Sequence, residues 1–392
     1  MSTIYTLNWG IMSTGGIAET FTRDILTNPE SRSVHDICHQ LVAVSASSSL
    51  KKAEDFIAKV NAPGKVNAYG SYADLVADSS VQVVYVATPH SHHFQNAMLA
   101  LEAGKHVLCE KALTVTAIQA KKLVATARVK NLFLMEAVWT RFFPSSIRIR
   151  DLCNSGVIGD IYRVMSDISY ANGQSGRSGR LDFPDSHRMV NLNLAGGALL
   201  DLGIYSLTWI FQILYHLQPE DEKESPIVTS ALNKYKATGA DDNTTILMHF
   251  PTHGTIGVAS TGFWTTTGVN EKNEGMPSAI IQGSEGEIHV IGPAFKPQKY
   301  LIITKGGVEA ISCEYPADLE RKWGHGMYWE ADECARCVRD GRTESRTLPW
   351  GESIAIMETV DKVLRDGGII YSEGITSDIF DDKSPLNTGG SW

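Results

Sequence analysis

The sequence predicts two domains of different class: an α/β half on a doubly wound parallel sheet, then an α+β half on a predominantly antiparallel, open-faced sheet. Through residues 1–141 short apolar runs alternate with helical patterns, as parallel strands joined by crossover helices do. After about residue 141 the runs lengthen, alternate with a period of two and are joined by Gly, Pro and Asn turns, which favours antiparallel pairing. The length, 392 residues, also exceeds one core at roughly 150 residues per domain. The expected domains are 1–141 and 142–392.

In chain order, 7–12 reads as the first strand and ends in the small-residue cluster Ser13-Thr14-Gly15-Gly16, followed by a helix over 17–27. Strand 41–46 precedes helix 50–60, whose Lys and Glu share one face. A short helix over 71–77 leads to the buried strand 81–87; helix 92–103 is stopped by Gly104, and strand 106–109, helix 114–129 and strand 132–135 complete the half. In the second half, helix 145–154 ends near Gly156 and Gly159. Strands are predicted over 161–170, 227–234, 244–250, 254–261, 279–281, 287–290 and 300–304, interrupted by an apolar helix over 195–216. Helices over 327–340 and 353–366 follow, and the polar stretch 377–392 reads as an extended tail.

Apolar residues make up 43% and charged residues 20% of the chain, which excludes a disordered or collagen-like protein. The net charge of −9 predicts no general attraction to nucleic acid or anionic lipid. No run approaches the 20 or so apolar residues that span a bilayer, and no basic segment precedes an apolar run at the N-terminus. The expectation is a cytoplasmic protein with no membrane or nucleic-acid partner. Six cysteines in so long a chain favour free thiols. Cys334 and Cys337 have CxxC spacing, but they fall inside a helical pattern with no second pair to complete a zinc site, so no metal is expected.

The turn after the first strand carries the first chemical signal. Against the phosphate-binding pattern G-x-G-x-x-G/A the chain offers Ser13-x-Gly15-x-x-Ala18, with serine where the first glycine stands. Gly15 would let backbone approach a pyrophosphate, and the helix N-terminus at Gly16 and Ile17, with Thr14 beside it, would supply amide donors. The second strand ends in Ser45-Ala46-Ser47-Ser48-Ser49 and then Lys51-Lys52, with no acid before Glu54. A carboxylate there would bond a free ribose 2′-hydroxyl. Serines and a lysine, with Ser47, Ser48 and Lys52 as the candidates, suit a 2′-phosphate, hence NADP rather than NAD. A serine-rich helix cap with solvated lysines is the alternative.

Lys111 ends another strand of the same sheet, where ligands of such sheets collect, preceded by Glu110. It could bond a substrate hydroxyl; a solvated lysine is the alternative. Farther on, Asp201 and Tyr205 lie four apart in an apolar helix, hence on one face. A phenol titrates near 10, and an adjacent ammonium would favour its ionised form; an apolar helix with one polar-tipped tyrosine is the alternative. In Thr88-Pro89-His90-Ser91-His92-His93, three histidines lie close together without a carboxylate or cysteine at ligand spacing. Thr88, Pro89, His90 and His93 therefore read as lining a cofactor rather than a metal.

Assembled, these segments make the chain resemble the glucose–fructose oxidoreductase / inositol dehydrogenase (Gfo/Idh/MocA) family nearly end to end. The marks are the Gly15 loop, 87–93, 103–111 with its Glu110-Lys111, and 196–205. Ala112 stands where the family usually has proline. Segments 135–144, 324–327 and 330–331 resemble the branch that contains dimeric dihydrodiol dehydrogenases and NADP-dependent D-xylose 1-dehydrogenases, as does tyrosine, rather than histidine, at 205. The resemblance implies a Rossmann domain, Lys111 and Tyr205 as the catalytic pair with Asp201 nearby, and a homodimer built through the open sheet face. It implies oxidation of a pyranose, foremost D-xylose, at C1 with NADP. Trp139 would offer an apolar plate to the sugar, and Arg188 and Asn191 would reach its hydroxyls. Oxidation of trans-dihydrodiols on the same pair, and a non-enzymatic NADP-binding sensor, are the competing readings. A short-chain dehydrogenase is excluded, since none of the 13 tyrosines has lysine four residues on.

Overall fold

The computed structural model describes residues 4–47, 49–172, 179–268 and 275–390. The five apolar runs of the first third become parallel strands, joined by a sixth that was not expected, β3: β1 (Tyr5–Met12), β2 (Ile37–Ser45), β3 (Asn67–Tyr69), β4 (Val83–Val86), β5 (His106–Glu110) and β6 (Leu134–Ala137). Their order is β3-β2-β1-β4-β5-β6, the doubly wound arrangement in which the direction of strand addition reverses between β1 and β4. The crossovers are α1 (Gly16–Ile25), α2 (Leu50–Lys59), α3 (Tyr72–Ala77), α4 (His93–Glu102) and α5 (Ala117–Lys130). β4 is buried throughout, as a central parallel strand covered on both faces must be. Trp9, Phe21 and Tyr85 form the aromatic centre of this core, with Phe21 stacked on Tyr85 at 3.8 Å between ring centroids.

After α6 (Pro144–Asn154) comes the second sheet, built from β7 (Ile161–Ser169) and, beyond α7 (Ile204–Leu214), from β8 (Ile227–Lys234), β9 (Asp241–Phe250), β10 (Thr255–Gly262), β11 (Ala279–Gly283), β12 (Gly286–Ile291), β13 (Lys299–Thr304) and β14 (Gly307–Ser312). Its order is β14-β13-β12-β11-β7-β10-β9-β8, antiparallel except where β7 lies parallel to β10. One face packs on α7. Contrary to the expectation that no run is long and apolar enough, Leu192–Leu214 has the length and apolarity of a membrane span, but 94% of its most apolar window is buried within the protein as core. On the other face Leu247 and Ile256 stand exposed, with Val258 paired to Leu247 and Met165 paired to Val258. Three helices end the chain: α8 (Tyr328–Arg339), α9 (Trp350–Asp366) and the single turn α10 (Glu373–Thr376).

The chain divides into two compact units that do not follow the expected 1–141 and 142–392. One comprises Met1–Trp139, Tyr315–Ser353 and Ser372–Trp392, the other Thr140–Glu314 and Ile354–Tyr371. The expected second domain is too long because its C-terminal segments return to the first unit by specific polar contacts. Asp24 in α1 accepts the backbone N–H groups of His325 and Met327. Arg32 grips Asp332 of α8 with two hydrogen bonds, and Arg336 grips Asp36 in the same way. Trp350 Nε1 donates to Leu134 O on β6. The tail is not loosely extended either: Gln119 Nε2 donates to Ile375 O and Ser377 O, and Gln95 Nε2 to Ile379 O.

Candidate active site

In the first unit four strand ends converge on one edge of the parallel sheet. The turn after β1 puts Ser13 at φ +91°, a conformation glycine takes freely and serine adopts under strain. This explains why the pattern asks for glycine at that position. Gly15 is the N-cap of α1, and no side chain caps that helix. A Cβ built on Gly15 or Gly16 would meet nothing within 4 Å, and Ile17 beside them is exposed. Open space before uncapped amides is what a pyrophosphate needs. Thr14 is half-buried in the same turn.

At the end of β2, Ser45 Oγ is buried without a hydrogen-bond partner among the described residues. Ser47 follows, half-buried, and the Tyr72 hydroxyl hydrogen-bonds both Ser47 and Ser13. Burial pushes the Tyr72 phenol up, so it is un-ionised. Ser49 caps α2 by accepting from Lys52 N at 3.3 Å, while the Lys52 side chain is exposed. Lys51 pairs with Asp55 at 2.5 Å. Ser48 lies outside the described residues.

After β4, Thr88 Oγ1 is again buried without a partner among the described residues, next to Pro89. His90 meets the edge of His93, ring centroids 5.6 Å apart. His93 itself does not line the surface expected of it. It is fully enclosed, with Nδ1 2.8 Å from Ala112 O and Nε2 2.9 Å from Thr88 O. Burial holds its pKa down to about 4, so the ring is neutral and its single N–H can donate to only one of these two carbonyls, with the ring body filling the space between the β4 and β5 loops.

That packing matters for Lys111. Glu110 accepts from the Tyr85 hydroxyl and, at 3.2 Å, from Lys111 N. The Lys111–Ala112 peptide is cis. One residue on, Leu113 N donates to Glu136 Oε1 at 3.0 Å, and Ser353 Oγ donates to Glu136 Oε2 at 2.8 Å. Burial pushes Glu136 up to about 7. Residues 111–113 are thus fixed on both sides, and Lys111, half-buried, starts from a rigid backbone. Trp139 is 4% exposed and lies face to face with His325, rings 4.9 Å apart, so the open plate expected for a sugar has one face already covered.

The second unit carries Asp201 and Tyr205. The expected α-helical spacing does not hold there. Leu199–Gly203 is a π-helical turn and α7 begins only at Ile204, so Asp201 sits in the wide turn and Tyr205 in the α-helix. Such turns are frequent at functional sites. Arg188 Nη1 donates to Asp201 Oδ1 at 2.8 Å. Asn191 is turned into its own loop, accepting from Asn193 N and donating to Ser186 O, rather than outward as expected. Tyr205 is buried, its ring 5.7 Å from Phe295, whose loop is anchored by Trp209 Nε1 on Ala294 O and Thr140 Oγ1 on Phe295 O.

The glycines before this turn are sterically required. A Cβ on Gly196 would stand 2.7 Å from Arg188 O and Asn191 N, and one on Gly197 would stand 1.9 Å from Asp241 Oδ1. Asp241 is a site residue that the sequence reading missed. Its Oδ2 accepts Leu199 N at 2.7 Å, capping the π turn from 42 residues away in sequence. Only its place in β9 opposite the glycine pair reveals it. Tyr72 was missed for the same reason.

Residues 7–138 match the family described as "Oxidoreductase family, NAD-binding Rossmann fold", and residues 146–289 the matching GFO/IDH/MocA C-terminal domain. The chain is 58% identical over 388 residues to D-xylose 1-dehydrogenase (NADP(+)) of Hypocrea jecorina, covering 98% of each chain. It is 34% identical over 370 residues to human trans-1,2-dihydrobenzene-1,2-diol dehydrogenase, covering 94% of this chain and 98% of the relative. Among solved structures, aldose-aldose oxidoreductase from Caulobacter crescentus superposes with a TM-score of 0.72 at 19% identity, over 93% of this chain and 98% of that one. That last likeness concerns the fold alone. Taken with an uncapped glycine loop at the head of a 3-2-1-4-5-6 sheet, these matches make the chain a member of the Gfo/Idh/MocA oxidoreductase family.

Proposed function

We propose that this protein is an NADP-dependent dehydrogenase that oxidises an aldopyranose, foremost D-xylose, at C1 to the aldonolactone. The observation that carries the reading is the 58% identity, over 98% of both chains, to a D-xylose 1-dehydrogenase that uses NADP. The residues present fit the cofactor. Ser13, Thr14, Gly15, Gly16 and Ile17 would hold the pyrophosphate, Ser47, Ser48 and Lys52 the 2′-phosphate, and Thr88, Pro89 and His90 the nicotinamide end, with Glu110 steadying Lys111. The buried orphan hydroxyls of Ser45 and Thr88 mark the same edge. NADP supplies, when bound, the acceptor for the hydride that leaves C1.

We propose Tyr205, as the phenolate, for the group that would take the C1 hydroxyl proton while C1 gives up hydride to the acceptor and the C1–O bond becomes the lactone carbonyl. Lys111 places positive charge beside the oxygen as negative charge develops on it, the electrostatic contribution that usually dominates such steps. Asp201 acts with Arg188 to order the turn that presents Tyr205. The assay is the rise of NADPH absorbance with D-xylose and NADP. Lys111→Ala should lower kcat about 10³-fold while NADPH affinity stays within a few-fold. Undiminished turnover in that variant refutes the assignment.

A second reading, oxidation of trans-dihydrodiols, draws on the 34% identity to the diol dehydrogenases. Comparing kcat/KM for D-xylose and a benzene dihydrodiol decides between them. Binding of NADPH with no turnover of either would favour a sensor. The proposal includes a cytoplasmic homodimer formed through the open sheet face, where Leu247, Ile256, Val258, Met165 and Ile280 form an apolar band. Ile256→Arg should convert it to monomer in light scattering.

A further inference from the structure

We propose that the C-terminal segment 384–390 is part of the dinucleotide site, its docking setting the affinity for the 2′-phosphorylated end of the cofactor. This rests on the cofactor reading above. The segment is seated by buried polar contacts rather than laid over a surface. Asn96 Nδ2, on α4, donates to Leu386 O at 3.0 Å and to Asn387 Oδ1 at 2.9 Å. His92 Nε2, in the turn after β4, lies 2.8 Å from Gly390 O. Asn96, Leu386 and Asn387 are all buried.

Its end reaches the β2 edge. Gly389, at φ +78°, packs so closely that an added Cβ would stand 2.2 Å from Ser47 Cβ. Ser47 shares the Tyr72 hydroxyl with Ser13 of the phosphate turn. A continuous line therefore runs from Gly390 and Gly389 through Ser47 and Tyr72 to Ser13. In doubly wound folds the end of the second strand is where the ribose 2′ substituent is read. Holding Ser47 in one position preorganises that end, and losing the segment releases it.

The test uses the full chain and NADPH fluorescence titration, with NADH in parallel. Gly389→Val should displace the segment by collision with Ser47, and Asn96→Ala should loosen it from α4 without touching β2. Each should weaken NADPH binding about tenfold and NADH binding less, with far-UV circular dichroism unchanged. Because coupling is reciprocal, NADPH should slow tryptic cleavage after Lys383 in the unmodified protein. If that protein binds NADPH while both variants stay within twofold and the Lys383 cut is indifferent to NADPH, the proposal is overturned. If the unmodified protein binds no NADPH, the cofactor reading falls and this inference with it. Equal losses for NADPH and NADH refute the assignment to the 2′ end.

Discussion

Replacing Asp332 by alanine should be among the most damaging single changes in the first unit. The carboxylate closes a buried chain in which Trp9 Nε1 donates to His39 Nδ1 at 3.1 Å, which leaves the proton on Nε2 to face Asp332 Oδ1 at 2.9 Å. Arg32 grips the same carboxylate at 2.8 and 2.7 Å, and its guanidinium lies 4.7 Å from the centre of the Tyr328 ring. The Arg32 and Asp332 side chains are 1% and 2% exposed. Burial pushes the Asp332 carboxyl up, but Arg32 and His39 outweigh it and hold it below its usual value. Without the carboxylate a guanidinium is left buried and uncompensated, a loss of about 3–5 kcal/mol, and the orphaned His39 N–H adds roughly 1 kcal/mol. Equilibrium urea unfolding, followed by tryptophan fluorescence and circular dichroism, measures it. The double variant Arg32→Met, Asp332→Leu should recover most of the loss, because no charge is then stranded. A loss below about 1 kcal/mol for Asp332→Ala, or a double variant as unstable as the two single changes added, would refute the reasoning.

Three further outcomes follow from the site. Burial pushes Asp241 up to about 7, so the folded state keeps a proton that the unfolded chain releases near 3.8. Stability should therefore fall as pH rises from about 4 to 7, and Asp241→Asn, which still accepts Leu199 N, should flatten that slope by at most about 4 kcal/mol in pH-resolved urea melts. Ser13→Gly removes backbone strain of about 1–3 kcal/mol against a glycine entropy cost of about 0.5–1 kcal/mol, and should stabilise by about 1 kcal/mol; a destabilised variant contradicts the strain argument. Gly196→Ala forces a methyl to within 2.7 Å of two backbone atoms and should cost about 2 kcal/mol in urea melts, together with most of kcat/KM for D-xylose.

Five strands of the parallel sheet, all but β3, were legible because they are short apolar runs alternating with helical patterns, one of which is stopped by Gly104. The site elements that end strands, Gly15 and Lys111, were legible for the same reason: in this architecture the strand end is itself the address. What escaped was whatever depends on long-range return of the chain. Nothing in the local sequence marks Asp24, Arg32 or Asp36 as partners of α8 and the loop before it, which come back to meet them. β3 has three residues and β14 is mostly exposed, so neither has a strong pattern. The helical spacing between Asp201 and Tyr205 failed because a π turn is set by the Asp241 cap and the packed glycines, not by local propensity. His93 looked like a ligand-facing histidine since a count of histidines cannot tell which ring is turned inward to two carbonyls.

The discontinuity of the first unit has a consequence for how the protein is made. A ribosome releases β1, β2 and Arg32 some three hundred residues before the Asp332 that neutralises them. Until then a nascent chain carries His39 and the Arg32 guanidinium without the carboxylate they share. Vectorial completion of the nucleotide-binding half is thus deferred until α8 has been made, and a fragment ending at residue 139 would emerge with a raw, sticky flank that chaperones are built to shield.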